Sequence, residues 1–255
     1  MSGSILIVDD EAAVTLALES FFKAKGYSVH RAFYGDQAIE QIEKDPPAVV
    51  ILDLQMPGVD GIAVLNKIRQ AYPHVKTMVI TGHSDRYQKD LDRLKPETVH
   101  MKPVSLEDLT RGVENLLGQK TAAVSGPKKA GKLSSPVRLL FIEGTPDVYN
   151  RYLKPYFQEK KDPSYETMMA SAPDQAFRLL EEFKPHLALM DGTRLPIGID
   201  AGKLAAALGS SPARPLEVIF YSFRVSADKG QDAVEQELYR LSETLRQSAG
   251  KHHLI

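Results

Sequence analysis

Ile5-Leu6-Ile7-Val8-Asp9-Asp10 is the stretch that decides the fold: four apolar residues followed at once by two carboxylates. A short continuous apolar run suits a strand buried on both faces, as in a parallel sheet covered by helices. The acids mark where that strand leaves the core. Val49-Val50-Ile51-Leu52-Asp53 repeats the device, and two further apolar segments end in Thr81 and in Lys102-Pro103. In a parallel sheet such ends open on one edge, where open α/β folds place their chemistry. Three acids, a hydroxyl and an amine at the ends of four strands therefore predict one polar pocket.

Outward from these runs, strand and helix signals alternate. Strands are expected near 4–9, 27–32, 48–53, 76–81 and 97–101, with helices over Glu11–Lys25, Gly35–Lys44, Gly61–Ala71, Asp85–Leu94 and Leu106–Leu117. Val14, Leu18, Phe21 and Phe22 share a face of the first helix. The third carries Ile62, Leu65 and Ile68 and stops before Pro73. Ser105 followed by Asp108 has the form of a helix cap. Five βα units in succession predict a parallel sheet with helices on both faces.

The 255 residues suffice for two domains. A net charge of −1 gives no reason to expect a nucleic-acid partner. The absence of cysteine excludes disulfides and thiolate metal sites. No leader-like segment and no run of membrane-spanning length is present, so the expectation is a soluble cytoplasmic protein without a membrane partner.

Residues 119–136 have no apolar periodicity and no acids, and are rich in Gly, Ser, Pro and Lys; they are expected to be a flexible linker between domains at 1–118 and 137–255. Within it, Gly126–Leu133 has phosphate-loop spacing, but Leu133 stands where a Ser or Thr would meet magnesium and no strand precedes it, so it is set aside. Alternation then resumes. Val137–Ile142 ends in Glu143, and a helix over Asp147–Gln158, bent at Pro155, follows. Next come strand 165–170, helix 173–183, Leu187–Met190 ending at Asp191, helix 201–209 and strand Leu216–Tyr221. A long final helix carries Val234, Leu238, Leu241 and Leu245. The segment around Asp191 reads as a weak internal repeat of the segment around Asp53.

Three carboxylates clustered at neutral pH raise one another's pKa unless a cation neutralises them. With oxygen ligands and no His or Cys, the expected ion is hard, most simply Mg²⁺. A lysine and a hydroxyl at the same edge would neutralise and orient a transferring phosphoryl group. A carboxylate can accept that group as an acyl phosphate, and Asp53, facing the acidic pair, is the candidate.

ILIVDDE, VVILDLQMPGVDG, MVITGH and MKP, in this order and at these separations, resemble the response-regulator receiver domain of two-component signalling over about residues 4–118. The resemblance implies a flavodoxin-like fold and phosphorylation of Asp53 by a histidine kinase or phosphotransfer protein. It implies Mg²⁺ bound by Asp9, Asp10, Asp53 and the backbone carbonyl of Gln55, with Asp9 acting mainly through water. Lys102 would pair with the phosphoryl oxygens, Thr81 would move toward them, and Pro103 would follow a cis peptide. The face built from the fourth helix, fifth strand and fifth helix would change on phosphorylation and would hold any homodimer contact. One position departs from the family: Val99 replaces the aromatic switch residue, and His100 beside it points to the opposite face. His83 reads as a solvated loop residue.

The second half retains Asp191, but Glu143-Gly144 replaces the acidic pair, Tyr221-Ser222 stands in the threonine region, and no Lys-Pro follows. The whole chain is therefore read as α/β, with two doubly wound parallel-sheet domains in tandem, the second degenerate and unable to accept phosphate. The expected function is a response regulator without a DNA-binding output: a phosphoacceptor and not an enzyme, acting on an unknown downstream protein. The rivals are a phosphorylation-independent scaffold, a Mg²⁺-dependent phosphohydrolase and a DNA-binding regulator. Gln55 argues against hydrolysis, because such enzymes want an acid two places after the nucleophile. The C-terminal half lacks a basic recognition helix.

Overall fold

The computed structural model describes residues 3–82, 84–119, 136–144, 146–161, 163–191, 204, 215, 217–221, 231–252 and 254. The chain divides into two compact units, Met1–Ala122 and Ala123–Ile255.

In the first unit, strands β1 (Ser4–Val8), β2 (Ser28–Ala32), β3 (Val49–Asp53), β4 (Lys76–Thr81) and β5 (Thr98–Met101) alternate with helices α1 (Ala12–Ala24), α2 (Gly35–Lys44), α3 (Gly61–Ala71), α4 (Ser84–Leu94) and α5 (Leu106–Leu116). A two-residue extended stretch, β6 (Val104–Ser105), precedes α5. The sheet is parallel, in the order β2-β1-β3-β4-β5. This is the doubly wound flavodoxin-like order, and each element lies within a residue or so of its expected bounds.

Alternation assigns the two faces. Leu6, Val8, Val50, Leu52 and Val79 form one core with Ala38 and Ile42 of α2, Val64, Leu65 and Ile68 of α3, and Leu91 and Leu94 of α4. Helices α1 and α5 lie against β1 and β4 respectively. Gly112 lets α5 approach closely, since a Cβ there would collide with Met78 Cε. Val14, Leu18 and Phe22 of α1 are buried as expected, while Phe21 sits at the margin. Because β3 is buried along its whole length, slipping it by one residue would drive Asp53 inward among apolar side chains. That cost fixes the register. Ser105 caps α5, its hydroxyl accepting from Asp108 N at 3.1 Å. Asp60 caps α3, accepting from Ala63 N at 2.9 Å. Gln119, assigned above to the linker, still packs on this unit: its side chain accepts from the Tyr27 hydroxyl at 2.8 Å.

The second unit contains β7 (Val137–Ile142), β8 (Tyr165–Ala170), α8 (Pro173–Glu182), β9 (Leu187–Asp191), β10 (Glu217–Tyr221) and α9 (Gln231–Lys251). Strand β7 lies between β8 and β9, and β9 pairs onward with β10, all parallel. This repeats the β2-β1-β3-β4 order of the first unit, and no fifth strand of this unit occurs among the described residues. The helix expected over 201–209, apart from the helical and buried Leu204, lies outside the described residues, as does Leu216.

Between β7 and β8 the chain is helical in three pieces: α6 (Pro146–Val148), a π turn (Tyr149–Leu153) and α7 (Lys154–Gln158). The expected bend at Pro155 takes this form. A proline has no N–H for the carbonyl four residues back and its ring crowds that carbonyl. The preceding turn widens instead, and Lys154 N donates to Tyr149 O, five residues back. Phe141, Tyr149, Phe157 and Tyr221 fill the core with Val234, Leu238, Leu241 and Leu245 of α9. Glu217, buried at the start of β10, accepts from the Ser248 hydroxyl, from Lys251 Nζ at 3.3 Å and lies 3.3 Å from His252 Nε2. These contacts fasten the last turn of α9 to the strand.

Candidate functional site

The C-terminal rim of the first sheet gathers the acids expected there. Asp9 and Asp10 follow β1 directly, and Asp53 ends β3. The register sets Val8 beside Leu52, so Asp9 and Asp53 leave adjacent strands at the same level. One carboxylate oxygen each from Asp9, Asp10 and Asp53 lies within 4.8 Å of the others. Asp9 and Asp53 are buried, at 4% and 3% exposed, while Asp10 is half-buried.

Lys102 reaches this group from β5. Its backbone N donates to Thr81 O at 2.8 Å, extending the β4–β5 pairing one step, and a cis peptide joins it to Pro103. Its Nζ donates to Asp53 Oδ2 at 2.7 Å and to Asp9 Oδ2 at 3.1 Å. Thr81 is fully buried at the end of β4. Gln55 N donates to Asp53 Oδ1 at 2.9 Å, holding that carboxylate in one orientation. Gly61 lets α3 start tightly against β3: a Cβ there would collide with Asp53 O and come within 2.6 Å of Leu54 Cα.

The site also contains Glu11, which the sequence reading did not single out. Its side chain is buried, its N donates to Asp9 Oδ1 at 2.8 Å, and its Oε1 lies 3.9 Å from Lys102 Nζ. The available signal was its place in the run Asp9-Asp10-Glu11. Three of the four carboxylates, those of Asp9, Glu11 and Asp53, thus lie within 4 Å of one ammonium. Burial, with the charges of Asp53 and Glu11, pushes Asp9 up to about 7 against the opposing pull of Lys102 and the Glu11 N–H. Burial also works against the Lys102 ammonium, but Asp9, Asp53 and Glu11 outweigh it and hold the amine above the ordinary lysine range. An acid that keeps its proton to neutrality beside an ammonium marks a cluster short of positive charge. The donor set is all oxygen, which suits a hard divalent cation such as Mg²⁺.

On β5, Thr98 and His100 face inward while Val99 and Met101 are exposed, at 43% and 44%. Val99 and His100 therefore occupy opposite faces, as alternation requires. Burial holds His100 below the usual histidine range, opposed by Asp108 of α5. His83 lies outside the described residues.

In the second unit, Glu143 and Asp191 end adjacent strands and are fully buried, with Tyr221 nearly so. No third acid joins the pair in an ion-sized group among the described residues. Ser222 lies outside them.

Residues 5–114 match the family model of the response regulator receiver domain, and this segment of the chain is such a domain. Among curated proteins, the chain is 26% identical over 171 residues to the alkaline phosphatase synthesis transcriptional regulatory protein PhoP of Bacillus subtilis, covering 66% of this chain and 71% of that one. It is 29% identical over 125 residues to sporulation initiation phosphotransferase F of the same organism, covering 48% and 98%. Among solved structures, response regulator protein TrrA of Thermotoga maritima, in complex with Mg²⁺-BeF, is 28% identical, covers 46% of this chain and 99% of its own, and has a TM-score of 0.41.

Proposed function

We propose that the protein is a cytoplasmic two-component response regulator in which Asp53 accepts a phosphoryl group from a histidine kinase or phosphotransfer protein. One observation carries this reading: Lys102 Nζ, arriving from β5, sits 2.7 Å from Asp53 and 3.1 Å from Asp9, beside Asp10. Asp53 is held by Gln55 N and Lys102 so that an oxygen can attack phosphorus as the donor's P–N bond breaks. Lys102 then compensates charge on the transferred group. Asp9, Asp10, Asp53 and the Gln55 carbonyl would hold Mg²⁺, which would supply the remaining charge compensation. Thr81, at the same rim, closes on the acyl phosphate and reshapes the face of α4, β5 and α5. Val99 leaves this coupling without a large ring to swing, so any downstream protein or second copy would read the backbone and the α4 position instead.

The domains are read as 1–118 and 137–255, and the linker segment between them lies mostly outside the described residues. The second is a degenerate receiver that binds a protein partner. Its parallel strand order supports this. On this reading the output is a protein contact, in place of DNA binding or turnover. Among the described residues no helix is long and apolar enough to cross a membrane.

Labelling with a small phosphodonor in Mg²⁺ tests the assignment. Asp53→Asn should abolish labelling and Asp191→Asn should leave it intact. Retained labelling of Asp53→Asn would refute the reading. Partner affinity identical with and without phosphodonor would favour the phosphorylation-independent scaffold.

A further inference from the structure

Glu11 stands outside the group of three acids that can share one ion, yet it is nearly as buried as Asp9, at 6% against 4% exposed. Its N–H is committed to Asp9 Oδ1 at 2.8 Å, which fixes its backbone one residue before α1. Its carboxylate lies 3.9 Å from Lys102 Nζ, beyond Asp53 at 2.7 Å and Asp9 at 3.1 Å. Burying a carboxylate away from any cation is strongly unfavourable. The ammonium of Lys102 lies within ion-pair distance of it.

The ammonium and a divalent ion compete for the same carboxylates. Lys102 holds Asp53 Oδ2 and Asp9 Oδ2, and both residues belong to the ion-sized group. An ion drawn into that group repels the ammonium from them. Lysine has three donors on a flexible stem, and Glu11 is the acid within its reach that the ion does not claim. Resting on the Mg²⁺ reading above, we infer that Glu11 is a positioning residue that takes the Lys102 ammonium when a divalent ion occupies Asp9, Asp10 and Asp53. It thereby keeps the amine at the rim, within reach of a phosphoryl group on Asp53. Without it, the ammonium either stays in competition with the ion or turns to water.

A double-mutant cycle on Mg²⁺ affinity, measured by calorimetry on the full chain without phosphodonor, tests this. Glu11→Gln should weaken Mg²⁺ about ten-fold when Lys102 is present and less than about two-fold in a Lys102→Met background, because only a residue acting through the lysine couples to it in this way. Equal losses in both backgrounds would overturn the inference, since Glu11 would then act only as one more negative charge. Should Glu11→Gln fail to fold, Glu11→Asp keeps the charge with a shorter reach, and is expected to lose about three-fold with Lys102 present and nothing without it. Unchanged affinity of Glu11→Asp with Lys102 present would also overturn it. In nitrogen-15 spectra, the Lys102 Nζ signal should shift on adding Mg²⁺ to the wild type and be lost to water exchange in Glu11→Gln. An identical signal in both proteins would count against it. A wild-type chain that binds no Mg²⁺ would overturn the Mg²⁺ reading as well, a result distinct from equal losses.

Discussion

Replacing Asp9 by Asn should stabilise the Mg²⁺-free protein while damaging its response to the ion. Asp9 is 4% exposed and its carboxyl is raised from 3.8 to about 7. Each pKa unit corresponds to about 1.4 kcal/mol, so holding Asp9 ionised in the folded chain at pH 8 costs about 4 kcal/mol at most. Water around half-buried Asp10 screens part of this, leaving about 2–4 kcal/mol. Asparagine keeps the oxygen that accepts from Glu11 N and removes the charge. The sign follows from proton counts. Well below the unfolded value of 3.8, Asp9 is protonated whether the chain is folded or not, and the two proteins should be equally stable. As pH rises to about 7 the unfolded chain loses this proton first, so wild-type stability falls while that of Asp9→Asn does not. Above about 7 the gap is full. Because the chain has no tryptophan and two units, hydrogen exchange of the β1 and β3 amides is the suitable assay, since it reports the first unit alone. Adding Mg²⁺ should reverse the ranking, as binding stabilises the wild type by mass action and the variant lacks one acid. A gap that does not change between pH 5 and pH 8, or an Asp9→Asn protein less stable at pH 8 without Mg²⁺, would refute the reasoning.

Two further substitutions test how the scaffold holds the site. Gly61→Ala must push α3 away from Asp53 O and Leu54 Cα, with an expected loss of about 1–3 kcal/mol and weaker Mg²⁺ binding; a change under about 0.5 kcal/mol in urea unfolding would contradict the close approach. Arg69, at the end of α3, donates to Leu94 O at 2.9 Å, to Thr77 Oγ1 and Glu97 Oε2 at 2.7 Å each, and to Lys95 O at 3.1 Å. Arg69→Met removes these bonds, leaving Glu97 Oε2 with only Thr77 N and Oγ1 as donors, and should cost about 2–4 kcal/mol, with exchange protection lost first around the end of α4; protection unchanged there would mean that α4 is anchored by Leu91 and Leu94 alone.

Much of this molecule could be read along the chain because the relevant signals are local. Ile5–Val8 and Val49–Leu52 announce doubly buried strands through neighbours in sequence, and the acid after each run marks the rim. Ser105 and Asp108 cap a helix across three residues. Alternation alone puts Val99 and His100 on opposite faces. Asp9, Asp10, Asp53 and Lys102 could be brought together on paper because parallel strands share one exit edge.

Other features depend on contacts that no local pattern encodes. Arg69 meets Glu97 across 28 residues and Glu217 meets Ser248 across 31, and in each case a polar pair was selected by what the folded chain had already buried. Glu11 joins the site only because the turn after β1 points it back toward Lys102. The widened turn before Pro155 answers a steric conflict visible only once the helix is built. The raised pKa of Asp9 belongs to the assembled cluster, since desolvation and the fields of Lys102, Asp53 and Glu11 act through space. Chain order prescribed which residues reach the rim, and packing decided how much charge they carry there.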